Sequence, residues 1–362
     1  MSRAQVLAFR AAAHSLDRRR PVEDLLDVAG ACGIQDTPPG NADVSLAARL
    51  QGGGPLVKGA VAAKELLVTW SVRGAPHVIP RDDFAVFTIG ARPADGTRGK
   101  LWGEPEEALA EVEAAVVSVL ESGSRTKGEV SAAVTATLPA ELTPWCASCK
   151  AHHPRESVFR ATPLLGRIVL ISTAPVVMAA AKEWVGADAG GDAGAARAEL
   201  LRRYLHCYGP TTSGHFAEWA GITKPDAAER WAGISDGLVA VGRRYVLEED
   251  METLLDPPAP AGVRLLPAKD GFLQARDRDV LIPDPTHRKA AFPVIGGPGV
   301  VLHEATPVAT WRGGSKGKSY EVTVTPFGKL SKAGWDGVDA EADRVARVRG
   351  RQDARVVRSP VP

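Results

Sequence analysis

The segment Tyr204–Glu248 constrains the fold most, because its breaks allow only short elements in one order. Leu200–Tyr208 has amphipathic helical spacing and ends at Gly209-Pro210, where proline can neither continue a helix nor leave the preceding residue free. Thr211–Ser213 offers hydroxyls for an N-cap, and Gly214–Ala220 reads as a short helix. Gly221 breaks it. Thr223 caps a further helix through Ile234, with Pro225 in the first turn, where its missing N–H is not needed. Leu238–Val241 and Arg244–Leu247 are β-prone runs across Gly242-Arg243, a hairpin. Helix, short helix, tight turn, helix, hairpin is the order of a winged helix-turn-helix.

The order recurs upstream. Pro105–Glu121 is helical, Thr126–Glu129 has capping-box spacing before the helix Val130–Leu138, and Arg167–Thr173 is β-rich. Arg3–Leu16, Val22–Cys32 and Ser45–Leu50 read as helices, with Glu65–Arg73 and His77–Pro80 as a wing. Val263–Pro267, Val280–Pro283, Val300–Glu304, Val308–Arg312 and Ser319–Thr325 are closely spaced β-prone runs, the pattern of a small β-barrel. Pro93–Gly99, Gly186–Gly194 and Asp256–Gly262 read as seams. The expected fold is mainly α with β (α+β). Three tandem winged helix-turn-helix units occupy residues 1–97, 98–190 and 195–258, a β-barrel occupies 262–335, and a charged tail 336–362 reads as a surface helix or frayed end. A chain of 362 residues accommodates several such units.

Charge and cysteine usage narrow the function classes. The net charge is +1, but from Arg264 onward 17 Lys+Arg face 11 Asp+Glu. That asymmetry suits a polyanion, although Arg-, Ala- and Gly-rich composition produces the same bias unselected. No apolar run approaches the about 18 residues that span a bilayer, and no signal peptide is read. Four cysteines in this length make no disulfide scaffold, so a reducing cytoplasm is expected. No G-x-S-x-G, no H-E-x-x-H and no G-x-G-x-x-G in a βαβ context is present.

Four groups of residues carry candidate chemistry. Gln35-Asp36-Thr37-Pro38 is either a helix-ending turn, with Asp36 or Thr37 as cap, or a cluster of polar groups able to hold a water. Arg73 and His77 flank a turn in the first wing and suit phosphate contact, or an ion pair and a polar cap. Arg276, Arg278, Arg288 and Lys289, then Arg312, Lys316 and Lys318 in a Gly-rich loop, suit backbone phosphates or solvent. Cys146, Cys149, His152 and His153 form the one metal-like cluster. A complete zinc site needs a further ligand, so a metal-free loop is the expectation and no cofactor is assigned.

Several segments together resemble the AlkZ-like DNA glycosylases, a winged-helix family. Gly33-Ile34-Gln35-Asp36-Thr37-Pro38-Pro39 followed by Leu46-Ala47-Ala48-Arg49-Leu50 is similar to that family's G-L-Q-x-Q…P…L-x-x-R-L stretch. Thr69–His77 resembles T-W-x-x-R-G-x-x-H, and Tyr204–Ala220 in its wider frame resembles R-x-Y-L-x-x-Y-G-P-A-T-x-x-D-F-x-x-W. Leu265-Leu266-Pro267-Ala268 through Arg278, with Thr310-Trp311-Arg312 further on, resembles L-L-P-x-x-D…T-W-R. The resemblance implies a monofunctional glycosylase that hydrolyses N7-alkylated purines, bulky ones included, from double-stranded, damaged DNA. It implies a monomer without cofactor. The family's catalytic pattern is Gln-x-Gln or Gln-x-Asp; Gln35 and Thr37 align with it, and a carboxylate, Asp36, takes the middle position. Gln35 is thereby implied to position the water, with Asp36 or Thr37 as second holder. The alternative is a catalytically silent winged-helix DNA-binding protein, a regulator or lesion-shielding factor.

Overall fold

The computed structural model describes residues 1–93, 106–186 and 191–360. Residues 94–99 of the first seam and 187–190 of the second lie outside these. Helix (47%) and strand (21%) are both substantial, which makes the protein mixed α+β. Its contacts form two units, neither continuous in sequence: Met1–Val57 with Arg203–His215 and Asp236–Pro362, and Lys58–Arg202 with Phe216–Ser235. No described helix is long and apolar enough to cross a membrane.

The first unit is built on a sheet in the order Val263–Leu266, Gly299–His303, Thr306–Lys316, Ser319–Pro326, Ala354–Arg358. The pairings are antiparallel except the last, which is parallel. The two outer strands do not pair with each other, so the expected β-barrel over 262–335 is not formed among the described residues; the sheet is open. Two local facts explain the difference. Val280–Pro283, expected as a strand, lies at the end of a helical turn, Arg278–Leu281, where Asp277 accepts the closing Val280 N–H. The last strand comes instead from beyond Ser331.

Of the two readings given to 336–362, a surface helix or a frayed tail, the helix is the one observed, and it is packed on the sheet and followed by a strand. Lys332–Val348 is an amphipathic helix capped by Ser331, whose hydroxyl accepts from Gly334 N–H at 3.0 Å. Its small apolar residues Val338, Ala342, Val345 and Ala346 recur at helical spacing and pack on Val263, Leu265, Val322 and Val324 of the sheet. Along Ser319–Pro326 every second residue is buried, the alternation of a strand with one face on a core. Gly337 lets the helix approach, since a Cβ there would lie 2.6 Å from Val263 Cγ2.

The helix Asn41–Arg49 joins the same core through Val44 and Ala47. Its last residue makes a buried bidentate ion pair. Arg49 Nη1 and Nη2 donate to the two carboxylate oxygens of Asp270 at 2.7 and 2.8 Å, both side chains being fully buried. Burial alone would raise the Asp270 carboxyl; Arg49 beside it overrides that and holds it below its ordinary value. Asp270 also accepts from Phe272 N–H. A second buried pair lies in the same unit: Arg10 grips Asp277 with two hydrogen bonds, at 2.9 and 2.8 Å, and donates to the carbonyls of Gly209 and Pro210. Arg244 completes this group at Asp277.

In the second unit the strands run in the order Pro76–Pro80, Leu66–Trp70, Ile168–Thr173, Val176–Ala180, Arg125–Thr126, all antiparallel. Strands read as belonging to separate wings therefore share one sheet. The capping box at Thr126 and Glu129 forms as its spacing predicts, opening the helix Lys127–Thr135. The hairpin Leu238–Val241 with Arg244–Leu247 in the first unit also forms at the residues expected.

Removing one partner of a buried ion pair leaves the other charge uncompensated, at a cost of about 3–5 kcal/mol. Arg49→Met should therefore lower the unfolding free energy by about that much in urea titration. Arg49→Met combined with Asp270→Leu should recover most of the loss; a double variant no better than the single one would mean that the pair is not what holds this contact.

Candidate active site and nucleic-acid interface

Ile34–Gln35 is extended and leads through Pro38-Pro39-Gly40 into the helix Asn41–Arg49. The connection is held from several sides. Gly40 has φ 84°, a conformation that strains any other residue, and a Cβ there would meet Arg349 Nη1 at 2.6 Å and displace the guanidinium. Arg349 Nη2 donates to Asn41 Oδ1 at 2.6 Å, and Asn41 Nδ2 donates to Thr37 O and Ala268 O at 3.2 and 3.0 Å. The turn is thereby tied to the loop that carries Asp270.

Within this turn the three candidate residues differ. Asp36 is buried and its Oδ1 accepts from Ala42 N–H at 2.9 Å. It satisfies one of the free donors that begin a helix. Gln35 is 7% exposed. Its Oε1, and Thr37 Oγ1, are shielded from solvent and have no hydrogen-bond partner among the described residues. Buried polar atoms are nearly always partnered, by protein or by water. Two acceptors left open two residues apart suit the holding of a water or a polar ligand.

Arg276, Arg278, Arg288 and Lys289, clustered in the sequence, converge on one open pocket of about 440 Å³, with Asp279 and Phe292 in its wall. Arg278 lies over the Phe292 ring, 4.6 Å from its centroid. Arg288 is anchored by donating to Ile282 O and Pro283 O. A smaller adjoining pocket shares Arg278 and Phe292 and reaches Ala268, the residue bonded to Asn41. The basic pocket is thus linked through Ala268 and Asn41 to the start of the helix that follows the Gln35 turn. Arg312, Lys316 and Lys318 lie on the exposed end of the hairpin formed by Thr306–Lys316 and Ser319–Pro326. Lys316 Nζ is 3.3 Å from Glu321, and Arg312 Nη2 donates to Gly296 O at 2.8 Å.

That last bond holds a loop which sequence reasoning missed. Val294 is 99% and Ile295 88% exposed, between Pro293 and Gly296-Gly297-Pro298. An apolar pair inside a Pro/Gly turn was the available signal, since such a turn cannot bury its tip.

In the second unit, Arg73 sits in a tight turn with φ 58°, and its Nη1 donates to Trp219 O. His77 is buried, with Nδ1 2.9 Å from Ala75 O, so Nδ1–H donates there. Burial, reinforced by Arg73, pushes the imidazole down to about 3. The structure thus spends both side chains on internal contacts. Cys146, Cys149 and His153 have donor atoms within 4.8 Å of one another. His152 turns away: its Nδ1 is 2.9 Å from Thr143 O and its ring lies edge-on to Trp145.

The sequence matches the family model described as DNA glycosylase AlkZ-like over residues 28–348. Among solved structures, the chain is similar to the Streptomyces sahachiroi DNA glycosylase AlkZ, with a TM-score of 0.79 at 23% identity, covering 99% of this chain and 100% of that one. At that identity the likeness shows a shared fold. No curated protein matches the sequence.

Two buried imidazoles make the protein acid-sensitive. Burial holds His14 as well as His77 at about 3, whereas an unfolded His titrates near 6.5. Both are neutral in the fold, so their stability is full above about pH 6.5 and falls by about 1.4 kcal/mol per His per pH unit as pH drops toward 3. Chemical denaturation at pH 7.5 and pH 5.5 should show the loss, and His77→Gln should reduce the difference. An unchanged pH dependence would contradict the neutral assignment.

Proposed function

The chain belongs to the family of AlkZ-like DNA glycosylases, and from that premise we propose that it hydrolyses the N-glycosidic bond of N7-alkylated purines in duplex DNA. The observation that carries this reading is the open pair Gln35 Oε1 and Thr37 Oγ1, at the positions that align with the family's catalytic motif. An N7-alkylated purine is already cationic and leaves readily. The protein has to place a water beneath C1′ and tolerate positive charge on the sugar. In this reading Gln35 Oε1 accepts one hydrogen bond from that water and Thr37 Oγ1 a second. As the glycosidic bond breaks, its electron pair goes to the purine; the water oxygen bonds C1′ and releases its proton to solvent. No cofactor takes part.

Asp36 takes a positioning role here. Its carboxylate is engaged by Ala42 N–H and shapes the turn. The basic pocket and the hairpin end bind phosphates on the strand that carries the lesion, and Val294-Ile295 supplies an apolar tip able to enter a base step. We read the segments 1–97, 98–190 and 195–258 as winged-helix units that hold the duplex, one monomer per lesion. The silent DNA-binding alternative draws on Thr37 standing where the family pattern has Gln or Asp.

Base release from an N7-alkylated duplex, followed by alkali to cut abasic sites, tests the reaction. Gln35→Ala should cost about 10²–10³ in rate and leave binding to abasic DNA intact. Asp36→Asn should keep the pH profile of the reaction, and Asp36→Ala should lower stability by about 0.5–2 kcal/mol. No release by the unmutated protein from any such duplex would leave the silent DNA-binding reading.

Backbone contact makes affinity fall with salt. Lys316→Ala with Lys318→Ala should reduce the log–log slope by about 2 if each lysine meets one phosphate, and leave lesion preference unchanged. A slope equal to that of the unmutated protein would remove the hairpin end from the interface.

A further inference from the structure

We propose that Cys146, Cys149 and His153 form a zinc site whose fourth coordination position is open to solvent. The proposal is independent of the glycosylase reading. Donor atoms of all three residues lie within 4.8 Å of one another. Tetrahedral zinc, with Zn–S of about 2.3 Å and Zn–N of about 2.0 Å, needs its donors somewhat under 4 Å apart. The site therefore closes by side-chain shifts of about 1 Å, without rebuilding the backbone.

Three further observations support it. First, His153 Nδ1 is 2.7 Å from Pro154 O. A carbonyl only accepts, so Nδ1 carries the proton and Nε2 keeps its lone pair. Nε2 is shielded from solvent without a well-formed hydrogen bond. A carbonyl behind the ring that fixes the tautomer in this way is the usual support of a ligating histidine. Second, Lys150, directly after the Cys-x-x-Cys turn, has φ 52°. Left-handed backbone is uncommon for a residue other than glycine, and the turn that it closes leaves both thiols within reach of His153. Third, the turn sits on a hairpin of just two residue pairs, Trp145 with His152 and Cys146 with Ala151, and Trp145 is 59% exposed. An isolated hairpin of this size is not stable by strand pairing alone. A cross-link between its base and its tip provides what the small apolar contact does not.

The sequence called for a further protein ligand. The geometry points instead to three protein ligands with water as the fourth, an arrangement zinc accepts. His152 lies outside the group of donor atoms within 4.8 Å of one another and is not a ligand. Cys32 and Cys207 are buried elsewhere, in the other unit, and do not belong to the site. On binding, two Zn–S bonds and one Zn–N bond form, and each thiol gives its proton to solvent. The two thiolates balance the charge of the ion, and affinity rises with pH.

The test uses the full chain, reduced and stripped of metal, with Zn²⁺ titrated against a chromogenic chelator. One equivalent should bind, the exposed Trp145 should change its fluorescence, and Co²⁺ in its place should show thiolate-to-metal charge-transfer absorption. Cys149→Ser should abolish tight binding, and His153→Ala should weaken it by about 100-fold or more. Cys32→Ser with Cys207→Ser should retain the full equivalent. Circular dichroism of each variant separates loss of the site from loss of the fold. The proposal is overturned if the reduced chain takes up no zinc, as a simple Cys146–Cys149 redox pair would, or if Cys146→Ser with Cys149→Ser binds as tightly as the unmutated protein.

Discussion

Arg49 and Asp270 meet by two parallel hydrogen bonds in a place neither water nor salt reaches. The first unit depends on that contact because it joins parts of the chain 221 residues apart. Arg49 ends the helix that begins at the Gln35 turn, and Asp270 stands in the loop after the strand Val263–Leu266. With Asn41 bonded to Ala268 and Arg349 bonded to Asn41, both ends of that helix are fixed to the C-terminal part of the unit. A turn so constrained can hold polar atoms in an unpartnered arrangement that a mobile loop would relax. Preorganisation of this kind is what water positioning requires.

The residues through which the family resemblance was visible fall into two groups. Most of them build the unit. Trp311 donates its indole N–H to Leu266 O at 2.7 Å, across Gly299, where a Cβ would lie 2.3 Å from Nε1. Tyr204 bonds Thr211 Oγ1 and Tyr208 donates to Gly271 O, while the carbonyls of Gly209 and Pro210 receive Arg10. Such contacts maintain a scaffold. Gln35 and Thr37 do the opposite, since each keeps an oxygen that the fold leaves open. A motif can therefore be matched largely for architectural reasons.

Local features were legible in the sequence where one residue decides the outcome. The capping box at Thr126, the hairpin across Gly242-Arg243 and the convergence of Arg276, Arg278, Arg288 and Lys289 all follow from short spacings. Features set by a competing local turn or by packing against other elements were not legible. Val280–Pro283 has strand-like residues, but the Asp277-to-Val280 turn takes them out of the sheet. The helix Lys332–Val348 buries mostly Val and Ala, whose small side chains hide its apolar face among charges, and only the sheet beneath reveals it. The burial of His77 likewise follows from packing that spacing does not encode, whereas the engagement of Asp36 by Ala42 N–H matches the capping role that its turn offered as one of two readings.

The central claim is that the Gln35 turn is the place where the glycosidic bond is cut. A structure of the protein on duplex DNA containing a cationic ring that mimics the oxocarbenium-like sugar tests it most directly. The account predicts the ring beside this turn, with a water about 3 Å from Gln35 Oε1 and aligned on the position of C1′. A ring bound elsewhere on the protein, or a turn with Gln35 directed away from it, would contradict the account.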